Sequence, residues 1–233
     1  MSKIKIYELT FDRKTNPHFA RIQTIFADAF SGGCILLELE IARVRQKLRK
    51  KMNEKFHLIG AIKGEELVGF GFLKFFREFS YGPYVVVDKN CRGQGIGTLI
   101  IDKIIQLAKI DAESVHILNP VILFEVEKIA FDEATQWRIK QNVKLYRKLN
   151  FLQLDIEYLS PVHKGWPSPQ DLWIIFLSDQ DSISSSKLLH YINLLYQFEY
   201  SLKPNDPTGA LERYLKIVSD SINGREKISR LPD

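Results

Sequence analysis

Apolar positions recur with two periods along this chain. Ile4 to Leu9 alternates as a strand, with side chains pointing to opposite faces in turn. Asn16-Pro17 reads as a helix entry, since proline fits the first turn. Ala20 to Phe30 then carries Ile22, Ile25, Phe26, Ala29 and Phe30 on one helical face, stopped by Ser31-Gly32-Gly33. Cys34 to Met52 has a second helical stripe, Leu37, Ile41, Val44 and Leu48. Phe56 to Lys63 and the aromatic-rich Leu67 to Phe76 read as two strands around a Gly64-Glu65 hairpin turn. Ser80 to Gly82 turns the chain into a β-branched run at Val85, Val86 and Val87.

The second half repeats the alternation. Helical spacing resumes at Leu99, Ile100, Ile104, Leu107 and Ala108. Val121 to Glu127 reads as a strand, expected parallel to the valine strand through a right-handed crossover. Ala130 to Leu149 is helical, and Asn150 follows where a left-handed residue ends helices. Phe151 to Leu159 and Leu172 to Leu177 read as strands, joined by the Pro/Gly-rich loop Ser160 to Gln170. A polar linker, Ser178 to Ser186, leads to helices Lys187 to Leu202 and Leu211 to Ile222, and the tail from Asn223 reads as loose. The pattern predicts an α/β (α+β) fold with a mixed, mostly antiparallel sheet flanked by helices and extra C-terminal helices. It divides into a main domain, 1–178, and a helical extension, 179–233.

The stretch Tyr84 to Lys109 is strand, glycine loop, helix. The first turn of a helix leaves main-chain N–H groups without partners and carries partial positive charge. Glycines ahead of it let the backbone lie against an anion. Arg92-Gly93-Gln94-Gly95-Ile96-Gly97-Thr98 therefore suits a pyrophosphate, with Arg92 adding a charge-assisted contact. The spacing is neither G-x-G-x-x-G nor the ATP loop ending in G-K-[S/T]. What remains is R-x-x-G-x-G, at Arg92, Gly95 and Gly97.

Here the chain resembles the GNAT superfamily of N-acetyltransferases, whose acetyl-CoA loop is Q/R-x-x-G-x-G/A. A second motif supports the resemblance. Leu145-Tyr146-Arg147-Lys148-Leu149-Asn150-Phe151 is similar to the family's L-Y-x-x-x-G-F, with Asn for Gly, and Phe124-Glu125-Val126 resembles its L-E-V strand. The resemblance implies a GNAT acyl-CoA N-acyltransferase fold and acetyl transfer from acetyl-CoA to a primary amine of a small molecule or peptide. Val85, Val86, Val87 and Arg92 to Thr98 would bind the cofactor, and an N–H near Val86 or Val87 would polarise the thioester carbonyl. Tyr146 would be the acid for the departing thiolate. Glu125 and Glu127 project from one face of their strand and are the candidate bases, because a protonated amine is no nucleophile. Two carboxylates together there would raise the pKa of one of them. Tyr158, Ser160, Pro161 and Trp166 are candidates to line the acceptor pocket. The alternative is a non-catalytic CoA-binding regulatory or interaction module on the same fold.

Charge and cysteines change this picture little. The net charge of +5 in 233 residues suits an anionic cofactor. The basic residues Arg43, Arg45, Lys47, Arg49, Lys50 and Lys51 are either a solvated face or a wall for an acidic acceptor or partner. Cys34 and Cys91 make neither a disulfide framework nor a metal spacing, so no metal is expected. The start, MSKIKIYELT, lacks a signal-peptide apolar region, and no run reaches transmembrane length. A cytoplasmic enzyme with no membrane or nucleic-acid partner is expected, its C-terminal helices packing either on the main domain or on a second copy of the chain.

Overall fold

The computed structural model describes residues 3–30, 33–49, 54–128, 133–161, 168–178 and 182–229. They form two compact units, Met1–Ile122 and Leu123–Asp233.

The first unit is built on a meander. Strand β1 (Ile4–Leu9) is followed by helices α1 (Phe19–Ala29) and α2 (Gly33–Arg49) and strands β2 (Lys55–Lys63) and β3 (Glu66–Phe75). Two short strands, β4 (Ser80–Gly82) and β5 (Val85–Val87), lead to helix α3 (Ile96–Glu113). β1 pairs antiparallel with β2 and β2 with β3. β3 is long enough to take two further partners, β4 at its Lys74–Phe75 end and β5 at Gly69–Gly71. Ser80–Gly82 is thus a paired strand as well as a change of direction.

Glycines decide where α3 lies. A Cβ on Gly71 would come within 2.7 Å of Ile100 Cγ2, and one on Gly69 within 3.2 Å of Ile96 Cγ2 and Ile100 Cδ1. Bare backbone at these β3 positions lets the Ile96–Ile100–Ile104 stripe of α3 pack on the sheet. All three isoleucines are buried. Phe26 on α1 and Phe30 just past its end meet Tyr84 edge-on at centroid distances of 4.9 and 5.7 Å. The Tyr84 carbonyl accepts the Phe72 N–H at 2.9 Å, which fixes the entry to β5.

The basic helix α2 is largely ion-paired. Arg43 faces Glu40 at 3.6 Å, Arg45 faces Asp12 at 3.8 Å and Lys47 faces Glu54 at 2.7 Å. Glu40 also meets Lys74 in a buried pair. Burial alone would raise the Glu40 pKa, but the Lys74 ammonium holds it below the usual carboxylate range. The α2 charges thus serve the unit's own packing more than a free basic wall. Lys50 and Lys51 lie outside the described residues.

The second unit centres on β9 (Gln170–Leu177). β6 (Ile122–Glu127) and β7 (Leu152–Gln153) neighbour it, and β8 (Leu159–Ser160) pairs with its first residues. Helix α4 (Glu133–Lys148) precedes β7. Between Gln153 and Leu159 the chain leaves the ladder, so the expected strand Phe151 to Leu159 is two short pairings. The tail also differs from expectation. Ser182–Ser184 forms β10, which pairs antiparallel with β11 (Lys227–Ser229), and helices α5 (Ser185–Phe198) and α6 (Ala210–Ile222) lie between them. The Ser184 hydroxyl accepts the Lys187 N–H and caps α5. Isolated three-residue strands with one apolar residue each, Ile183 and Ile228, carry too little alternation to be read in advance.

Candidate functional site

In the first unit the site grows out of the β3–β5 ladder. The Phe72 N–H donates to Tyr84 at 2.9 Å, and the Asp88 N–H donates to Val68 at 3.0 Å. Hydrogen-bonded pairs alternate in an antiparallel ladder, so Phe70–Val86 is the bonded pair between them. The main-chain groups of Val85 and Val87 therefore point away from β3. The Arg92 Nε–H donates to the Val87 carbonyl on that outer side at 3.3 Å. Val86 is buried and Val85 and Val87 are half-buried. Of the two expected donors toward a carbonyl, Val86 has its N–H committed to Phe70.

Asp88 ends the strand and shapes the loop. Its Oδ1 accepts the Asn90 N–H at 2.7 Å, its carbonyl accepts the Cys91 N–H at 2.9 Å, and its Oδ2 takes the Arg21 guanidinium. Arg21 is further tied to Glu66 at 2.9 Å and to the Leu67 carbonyl at 3.3 Å. Gly93 and Gly95 then take left-handed φ of 77° and 76°, where an L side chain is strained. A Cβ at either would meet nothing within 4 Å, so both face open space. Gly95 caps α3 and accepts the Leu99 N–H at 3.1 Å, the first bond of the helix. Ile96, Gly97 and Thr98 belong to the helix's first turn rather than to the loop, and no described residue takes up their main-chain N–H groups. Arg92, Gly93, Gln94 and Gly95 are exposed. Lys63 donates to Gln94 Oε1 at 3.1 Å, placing a second cation beside the loop. A cation on each side of unspent N–H groups at a helix start is a group set that suits an anion.

In the second unit, Tyr146 lies near the end of α4. Its ring packs against Phe124 at 5.2 Å and Phe151 at 5.3 Å. Asn150 has φ 62°, as the helix-end reading expects, and the Phe151 N–H returns to the Tyr146 carbonyl at 2.9 Å. Burial pushes the Tyr146 phenol well above its ordinary pKa, so it stays protonated at neutral pH.

Glu125 and Glu127 are both half-buried on β6, but each is held by its own partners. Arg138 donates to Glu127 Oε2 at 2.6 Å. Glu125 accepts the Tyr158 hydroxyl at Oε1 and the Tyr200 hydroxyl at 2.8 and 2.7 Å from its two oxygens. Tyr200 was missed in the sequence, because a tyrosine just past a helix stripe carries no local signal of a partner 75 residues away. Of the acceptor-pocket candidates, Tyr158, Ser160 and Pro161 are buried, while Trp166 lies outside the described residues. Among the described residues no group of three or more His, Cys, Asp or Glu forms a metal-type cluster, and no helix is long and apolar enough to cross a membrane.

Comparison with known proteins agrees with this geometry. Residues 54–152 match the family model of the acetyltransferase (GNAT) domain. A GNAT-family protein from Bacteroides thetaiotaomicron shares the fold at TM-score 0.61 and 17% identity, over 85% of this chain and 99% of that one. The ribosomal-protein-alanine N-acetyltransferase of Brucella melitensis superposes at TM-score 0.50 and 20% identity, over 75% and 99% of the two chains. The Salmonella typhimurium protein yncA, solved with acetyl-CoA, does so at 0.50 and 12%, over 77% and 95%. Among curated proteins none matches significantly. Over residues 54–152 the chain is thus similar to the acetyltransferase (GNAT) domain, and its fold is that of GNAT-family proteins.

Proposed function

We propose that this protein transfers an acetyl group from acetyl-CoA to the primary amine of a small molecule or peptide. One observation carries the reading: the left-handed Gly93 and Gly95 and the unspent N–H groups of Ile96, Gly97 and Thr98 stand directly after β5 at the start of α3. The pyrophosphate of the cofactor would be held there, with Arg92 and Lys63 contributing positive charge. The pantetheine amides would pair with the outward main chain of Val85.

The resemblance to the GNAT family supports the following roles for these residues. The Val87 N–H takes the thioester oxygen as negative charge develops on it, since its neighbour's N–H is already bonded. Glu125 takes the proton from the ammonium, and the freed nitrogen attacks the carbonyl carbon. Glu127 is the second candidate, with the Arg138 contact competing for its charge. Tyr146 is the group for the departing sulfur. A thiol ionises near pH 8.5 and a phenol near 10, and burial separates them further. Tyr146 therefore serves best by donating a hydrogen bond to the thiolate.

The test is thiol release from acetyl-CoA with a polyamine, a free amino acid and a peptide with a free N-terminus, beside calorimetric binding of CoA. Binding of CoA with amine-dependent thiol release is expected. Absence of CoA binding would remove the reading.

A further inference from the structure

The Glu125 carboxylate is the meeting point of two segments far apart in the chain. Tyr158, just before β8, donates to one oxygen, and Tyr200, just beyond α5, is 2.8 and 2.7 Å from the two. The cluster is braced from behind. Tyr196 stacks on Tyr158 at 5.6 Å with the rings 13° apart, and Tyr214 of α6 packs against Tyr196 at 5.7 Å. Tyr196 spends its hydroxyl on the Leu159 carbonyl at 3.0 Å, so it does not compete for Glu125. Tyr158 and Tyr196 are fully buried.

We propose that Tyr200 is a positioning residue for Glu125, so that the C-terminal segment supplies part of the acceptor-side chemistry. The inference rests on the acyl-transfer reading. A glutamate on a strand has three rotatable bonds, and an untethered carboxylate samples several rotamers. Two hydroxyl donors on one carboxylate select one of them through charge-assisted bonds, the stronger kind. In the step itself an ammonium N–H bond breaks and its proton goes to a Glu125 oxygen. The nitrogen lone pair forms the bond to the thioester carbon, the C–S bond breaks with its electrons on sulfur, and the second proton shed by the nitrogen ends on that sulfur, leaving the amide and free CoA thiol. Phenylalanine at 200 would keep the packing of the ring and lose the tether.

The experiment uses the full chain as wild type, Tyr200→Phe, Glu125→Gln and the double variant. With the best amine of the panel, Tyr200→Phe is expected to lower kcat about tenfold, the worth of one hydrogen bond to a charged group, with KM for acetyl-CoA unchanged. In the Glu125→Gln background the same change is expected to add no further loss. An unchanged kcat, or an equal loss in both backgrounds, overturns the proposal. If no amine is acetylated while the wild type binds CoA, the transfer reading fails first. The contact itself is then decided by thermal unfolding of the four chains: non-additive shifts in Tm support the tether, and additive ones overturn it.

Discussion

Gly71 lies beneath Ile100, with room between β3 and α3 for a hydrogen and not for a methyl. A Cβ there would stand 2.7 Å from Ile100 Cγ2. That methyl is branched at Cβ and cannot swing away within a helix, where χ1 is nearly fixed. Gly71→Ala is therefore expected to destabilise the chain by about 1–2 kcal/mol, overpacking outweighing the chain entropy gained. In an Ile100→Ala background the cost should shrink, because the nearest methyl is gone and only Ile104 Cδ1 at 3.2 Å and the Tyr84 carbonyl at 3.3 Å remain close. Urea unfolding of the four chains measures it, and an equal penalty in both backgrounds would refute the close approach.

The cofactor loop separates backbone strain from ligand contact. Gly95 has φ 76° with open space where a side chain would go. Gly95→Ala is expected to cost about 1–2 kcal/mol of stability, the penalty of an L residue in that region, and to weaken CoA binding by placing a methyl in the cradle. Calorimetry with CoA should show both the loss of affinity and a lower Tm. Retained affinity would place the pyrophosphate elsewhere.

A proline pair tests the edge reading of β5. Val86→Pro deletes the N–H bonded to Phe70 and should cost about 1–3 kcal/mol for the carbonyl left unpaired. Val87→Pro deletes only an outward N–H, so it should spare stability and depress kcat. Equal effects of the two on Tm would show that the ladder phase is different.

These cases also mark what the sequence made legible. The strand, glycine loop and helix were readable because β-branched residues, two glycines and a 3.6-residue stripe stand side by side. Asn150 announced its own left-handed turn. Which face of β5 presents its N–H groups was not readable, because Val85, Val86 and Val87 look alike and only pairing with β3 distinguishes them. Gly69 and Gly71 read as part of an aromatic strand, since the helix that needs them comes later. The Glu125 partners were hidden for the same reason: Tyr158 and Tyr200 reach β6 through tertiary packing. Ser182–Ser184 and Lys227–Ser229 read as linker and tail because each becomes a strand only with the other.

Tyr146 offers a test in which stability and activity move apart. Its ring is packed between Phe124 and Phe151, and its hydroxyl makes no hydrogen bond with a described residue. Tyr146→Phe keeps the packing, so Tm should move by no more than a degree or two. kcat should fall about a hundredfold if the phenol is the donor to sulfur, with CoA affinity retained. Unchanged turnover in steady-state assays would remove Tyr146 from the chemistry.

The last prediction concerns pH and stability in the first unit. His57 is held between Glu8, 2.6 Å from Nδ1, and Asp111, 2.9 Å from Nε2. Burial works against the charged ring, but the Asp111 and Glu8 hydrogen bonds and charges outweigh it, so the His57 pKa is raised. A raised folded-state pKa means that the folded chain holds the proton more tightly than the unfolded one. The stabilisation is complete below the unfolded value, about 6.5, and is lost as pH rises through the folded pKa. Stability from urea titrations should thus decline as pH is taken upward from about 6.5. His57→Gln keeps polar contacts with both carboxylates but cannot titrate, so its stability should lack that decline. If wild type and variant fall in parallel, another group governs the slope and the Glu8–His57–Asp111 bridge is not what ties β1, β2 and α3 together in this pH range.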